Sequence, residues 1–172
     1  KLMAGLQVHT AETAYAVTQA EIKAWCKIDS SDDDVTVALI ERAVHNWAKE
    51  YTSRTLTTVT YNLFIDTVYE SDIPIQEGFY VGYDGRSNKR SIDLPKSPVA
   101  SVSHIKYYDD ADTATTFATS NYYLDTASIP ARIVLRKGSS YPTSLRVANG
   151  IEIKYVAGYG ATTTVPYDIK SA

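Results

Sequence analysis

The side chains best able to do chemistry gather in one short stretch, "KIDSSDDD", Lys27 to Asp34, which sets four aspartates and two serines between two apolar-patterned segments. Oxygen donors at that density suit a calcium loop, but an EF-hand needs them at loop positions 1, 3 and 5, with glycine at 6 and a bidentate glutamate at 12. Counted from Asp29, these places fall on Ser31, Asp33, Asp34 and Ile40, so the turn glycine and the closing acid are both missing. Counted from Asp32, the glycine position holds Val37. The spacing suits a helix start instead. Ser31 stands as N-cap, Asp34 at the third helical position of a capping box, and Asp32 and Asp33 in a first turn whose dipole favours negative charge.

No other grouping offers an active site. His9, His45 and His104 share no ligand spacing, His45 being expected on an outer or half-buried helix face and His104 toward solvent. Cys26 has apolar neighbours on a short helix, which suits a packed thiol better than a nucleophile. A Gly-x-Ser-x-Gly elbow is missing from the sequence. "GYGATT" lacks the third glycine of a dinucleotide loop and has no room for a βαβ unit after it, so Gly158 and Gly160 are read as turn residues. "GRSNKR", Gly85 to Arg90, brings Arg86, Lys89 and Arg90 to one loop tip that could meet phosphate or an acidic partner. The expectation is a binding or structural protein, with no catalytic residue, metal or cofactor.

Composition points the same way. At 172 residues the chain is one ordinary domain long, enough for a core without staples. Its single cysteine excludes an internal disulfide framework. There is no basic-then-apolar leader pattern and no apolar run near the ~20 residues that cross a bilayer, so the chain reads as soluble, made in a cytoplasm and without a membrane partner. A net charge of −3 argues against a general grip on DNA. Fourteen tyrosines against three phenylalanines suit half-exposed sheets and protein contacts.

The elements that would position these residues divide into a helical front and a β-rich remainder, an α+β fold. Residues 1–17 show no clear period and are expected to form an arm, with one domain over 18–172. "VTQAEI" carries a capping box, Thr18 with Glu21, and a staple pair, Val17 and Ile22, so a helix is expected over Gln19 to Cys26. A second helix is expected from about Asp32 to Tyr51. In it Val37, Ile40, Val44, Trp47 and Tyr51 recur at spacings of three and four, as the stripe that packs.

From Thr55 the period becomes two, and strands are expected within a β insertion over 55–160. The candidates are "TLTTVTYNLFID", "GFYVGY", "SIDL", "SVSHIKYY", "NYYLD", "ARIVLR" and "GIEIKYVAG". Asn149-Gly150 suggests a hairpin turn between "LRVA" and "IEIKY", Asp84-Gly85 a second turn, and Pro95 with Pro98 a corner. The whole reads as an antiparallel, meander-like unit. Pro166 can open a helix over 165–172.

Taken in order, "VTQAEIKAWCKIDSSDDDVTVALIERAVHNWAKEYTSRTL", "IDLPKSPVASVSHIKYYD", "NYYLDTASIPARIVLRKGSSYP", "GIEIKYVAGYG" and "VP" resemble the head-tail connector, or adaptor, proteins of tailed bacteriophages and gene-transfer particles. The resemblance spans Val17 to Pro166. It implies a ring, commonly of twelve copies, in the virion neck at the portal vertex, assembled in the host cytoplasm. Its implied partners are the portal protein, the next neck or tail protein, and double-stranded DNA in transit. In the family a C-terminal helix helps bind the portal, which makes Val165, Pro166, Tyr167, Ile169 and Lys170 the portal-contact candidates. Tyr80, Tyr83, Arg86, Lys89 and Arg90 are the loop-contact candidates. Three departures stand out: Ser53 replaces the usual glycine after the second helix, the segment 66–90 is long and tyrosine-rich, and the chain ends where the family continues. The rival expectations are another neck component, a stopper or tail terminator, and a small β-rich module binding glycans on Tyr80, Tyr83, Tyr107 and Tyr108.

Overall fold

The structure, a computed structural model, describes residues 4–66 and 91–171. In chain order the elements are β1 (Ala4–Thr10), α1 (Gln19–Cys26), α2 (Asp34–Thr52), β2 (Val59–Ile65), β3 (Ser91–Leu94), β4 (Val99–Tyr108), β5 (Ala114–Thr116), β6 (Tyr122–Asp125), β7 (Ala131–Leu135), β8 (Ile151–Ala157) and α3 (Tyr167–Lys170). The α+β expectation holds. The expected strand "GFYVGY", the Asp84-Gly85 turn and the loop-contact candidates Tyr80, Tyr83, Arg86, Lys89 and Arg90 lie outside the described residues.

Strict alternation builds β2 and β8, which pair with each other. In β2 and β8 every second residue is buried, so the register places Tyr61 opposite Tyr155, Leu63 opposite Ile153 and Ile65 opposite Ile151 on one face. Ile153 and Tyr155 are fully excluded from solvent. These strands share one apolar cluster with Ile92 and Leu94 of β3, Ile105 of β4, and Ile133 and Leu135 of β7. Burial on this scale is the main stabilising contribution, ~1.5–3 kcal/mol for each large side chain. Two of the buried hydroxyls find partners within the fold: Tyr155 donates to the Pro95 carbonyl at 2.8 Å, and Tyr61 lies 3.0 Å from Thr55 Oγ1.

The topology differs from a meander. The five-stranded sheet runs β1-β2-β8-β4-β5 and the three-stranded sheet β3-β7-β6, every pair antiparallel. The segment expected to be an arm instead supplies an edge strand, with Leu6 opposite Leu63 and Val8 opposite Tyr61. Asn149-Gly150 does not close a hairpin, because β8 pairs with β2 and β4 and "LRVA" forms no strand. Asn149 does adopt φ 52°, and its N–H donates to Asp66 Oδ1 at 2.9 Å. A Cβ on Gly150 would sit 2.5 Å from the Asp66 carbonyl oxygen, which explains the glycine there.

The helical front joins the sheets through a small second cluster of Ala16, Leu56 and Val165, with Ala48 of α2 and Ile169 of α3 against it. Thr57 Oγ1 donates to the Ala14 carbonyl at 2.8 Å and Thr162 Oγ1 to the Tyr15 carbonyl at 2.7 Å. Among the described residues no helix is long and apolar enough to cross a membrane.

Candidate functional site

The helical pair carries the features that the fold does not explain. α1 starts as its sequence demands: the Thr18 N–H donates to Glu21 Oε2 at 2.7 Å and the Glu21 N–H to Thr18 Oγ1 at 3.2 Å. The first of these bonds, then the Lys170 ammonium, hold the Glu21 carboxyl at about 2.

The corner into α2 is built differently from expectation. Its N-cap is Asp33, with no side-chain cap bond, and Ser31 contributes only its carbonyl, to the Asp34 N–H at 3.2 Å. The capping role expected of Ser31 and Asp34 is thus absent, because the Asp34 carboxylate pairs with Lys23 of α1 at 2.6 Å instead. Gln19 Nε2 donates to the Asp34 carbonyl at 2.8 Å, so Asp34 ties the two helices together. Ser53 takes the left-handed cap at φ 53° despite not being glycine. Cys26, expected to pack, is exposed.

The covered face of α2 is polar at its centre. His45 is 4 % exposed, and its Nδ1 accepts the Ala16 N–H at 3.2 Å. That bond assigns the ring proton to Nε2, which lies 3.6 Å from Glu12 Oε1. Glu12 also takes the Lys49 ammonium at 2.5 Å. Burial, helped by Lys49, lowers the His45 pKa against the opposing pull of Glu12. Burial raises the Glu12 carboxyl, but the Lys49 bond and charge outweigh it and leave the pKa lowered. With every member engaged by the 12–16 segment, this cluster is a clamp on α2.

The apolar stripe of α2 consequently points elsewhere. Val37 is buried as expected, at 4 % exposure, but Ile40, Val44, Trp47 and Tyr51 are 51–77 % exposed. At ~100° per residue, the middle of the stripe lies roughly a quarter turn from the face holding Val37, His45 and Ala48. Leu39 widens it at 65 % exposure, and Trp47 and Tyr51 stack on each other with ring centroids 5.1 Å apart. Sequence periodicity found this stripe but assigned it to the core. Nothing among the described residues covers it.

The remaining candidates lie on other elements. Val165 is buried beside Ala16 and Leu56 and Ile169 packs there, so both serve the fold. Lys170 reaches Glu21 Oε1 at 3.1 Å. Pro166 is exposed at the start of α3, and Tyr167 is 82 % exposed. On β4, Tyr107 is half-buried, while Tyr108 donates to Glu152 Oε2 at 2.6 Å and has the Arg146 guanidinium 4.1 Å above its ring. That cation fills the face a stacked sugar would use. His104, expected toward solvent, has its Nε2 3.5 Å from Glu152 Oε1. No group of three or more His, Cys, Asp and Glu among the described residues is arranged to hold a metal ion.

No protein-family model matches the chain, and no curated protein is similar to it in sequence. Among the solved structures that share its fold are three from gene transfer agent particles. A chain in the neck of an empty gene transfer agent (GTA) particle computed with C6 symmetry aligns over 97 % of this chain and 78 % of its own length, at TM-score 0.71 and 19 % identity. A chain in the virion of the native GTA particle aligns over 96 % and 78 %, at TM-score 0.69 and 18 % identity. A chain in the neck of the native particle computed with C12 symmetry aligns over 96 % and 77 %, at TM-score 0.62 and 17 % identity. The chain thus has, over nearly its whole length, the fold of a protein from gene transfer agent necks.

Proposed function

We propose that this chain is a structural neck protein of a phage-like particle, a head-tail adaptor whose copies form a ring beneath the portal. One observation carries the reading: the fold match to chains of GTA necks covers both the helical pair and the β insertion. Those necks were computed with C6 and C12 symmetry, which favours a ring of six-fold or twelve-fold order here, twelve copies being the expectation. In this reading the ring extends the DNA channel from portal to the next neck or tail component, after assembly in the host cytoplasm. A net charge of −3 suits a conduit, since a wall rich in Lys and Arg would hold the phosphates it must let pass. Catalysis has no part in the role. Pro166 and Tyr167, exposed at the entry to α3, are the placed residues through which the portal would be met, with Tyr80, Tyr83, Arg86, Lys89 and Arg90 as the further contact candidates.

Deleting the gene tests the role at the level of the particle. The expected product is filled heads without tails, restored by supplying the chain in trans. Intact tailed particles made without the chain would end the reading.

A further inference from the structure

The stripe on α2 is a broad apolar surface with nothing over it among the described residues. Leu39, Ile40, Val44, Trp47 and Tyr51 each keep half or more of their area exposed. With ~150–250 Å² for each aromatic and somewhat less for each aliphatic side chain, they leave on the order of 600 Å² open. That is the upper end for the largest apolar patch on an ordinary monomer, ~300–600 Å². It approaches the ~800 Å² each partner gives to a standard protein interface. The other exposed large apolars, Val8, Trp25, Val35, Tyr123, Ile129, Val147 and Tyr167, are scattered over several elements. The Trp47–Tyr51 stack, nearly parallel at 11°, is already ordered before any partner arrives, which lowers the entropy cost of binding.

We infer that this face of α2 seats a second copy of the chain, the neighbouring subunit of the ring. The inference rests on the neck-ring reading. Each subunit of a closed ring must bury a heterologous contact, and the stripe gathers five of the exposed large apolar side chains among the described residues on one helix. It lies on a helix clamped on the adjoining face by Glu12, Ala16 and His45, so it is presented rigidly and at the same angle by every copy.

The test places p-benzoylphenylalanine at Tyr51 in cells producing the particle, followed by irradiation, purification and mass spectrometry of adducts. The expected product joins two copies of this chain, and Trp47→Glu, at an exposed position that leaves the far-UV circular dichroism unchanged, reduces it at least tenfold. An adduct to the portal or another component, an adduct within a single copy, or no adduct overturns the inference while leaving the neck location standing. A particle without the chain overturns the neck reading instead. In that event the purified labelled chain, irradiated at 100 µM, decides the inference: a self-adduct upholds it, and its absence overturns it.

Discussion

Two valines seven residues apart lie on nearly the same side of α2, about 20° apart, one where the fold covers the helix and one where it leaves it open. Val37 is 4 % exposed and Val44 57 %, so alanine at each makes the same chemical change on the same helix in opposite surroundings. At Val37, losing two buried methyl groups forfeits ~0.8 kcal/mol each in transfer free energy, and the unfilled space adds a cavity cost. Alanine returns ~0.5 kcal/mol of helix propensity, leaving a net loss of about 1–2 kcal/mol. At Val44 less than half of the transfer term applies and no cavity forms, so the propensity gain brings the change to within ~0.5 kcal/mol of zero. Urea unfolding followed by circular dichroism at low micromolar concentration measures both. Equal losses, or a larger loss at Val44, would return the stripe to the core and refute the exposure on which the docking face depends.

At the helix corner, Ser31→Ala should leave stability unchanged in thermal melts. Asp34→Ala should cost up to ~1 kcal/mol, because it removes the partner of a partly exposed Lys23. Acid should weaken the clamp in two stages. The folded His45 pKa is lowered, so its contribution is present above the ordinary 6.5 and is lost as pH falls from there toward the folded value, since the unfolded chain takes the proton first. The lowered Glu12 carboxyl adds a further loss as pH falls below its ordinary 4.5. His45→Asn, which keeps an acceptor for the Ala16 N–H, should flatten the first stage in urea midpoints measured between pH 7.5 and 5. Gly158 and Gly138 both have positive φ, but a Cβ on Gly158 would stand 2.1 Å from the Thr57 carbonyl oxygen, while one on Gly138 meets nothing within 4 Å. Gly158→Ala should cost about 3 kcal/mol or more and Gly138→Ala only about 1, read from the same unfolding curves.

What the sequence disclosed was mostly local. The capping box at Thr18 and Glu21 forms as written, and the alternation in "VTYNLFI" and "IEIKYVA" gives strands with every second residue inside. Both signals depend on neighbours a few residues apart. The strand order depends on chain segments far apart, and no local pattern shows that β8 inserts between β2 and β4. The edge strand β1 was hidden because its alternation, Leu6 then Val8, is short and sits among glycine and small polar residues. Periodicity located the α2 stripe but could not say what covers it. The core-facing side is held by His45 and Lys49, whose polar partners, Ala16 and Glu12, come from a segment some thirty residues earlier. The Asp-rich corner shows the same limit: the positions fit a capping box, yet Lys23 offers Asp34 a charged partner, and the carboxylate takes it.

The central claim, a ring in the neck, is tested most directly by cryo-electron microscopy of the portal vertex in particles carrying this chain. The expected map contains a ring directly beneath the portal into whose subunits the helical pair and the two sheets fit, α2 of each copy lying against its neighbour. A neck fully built by other chains, with no density for this fold, would contradict the account.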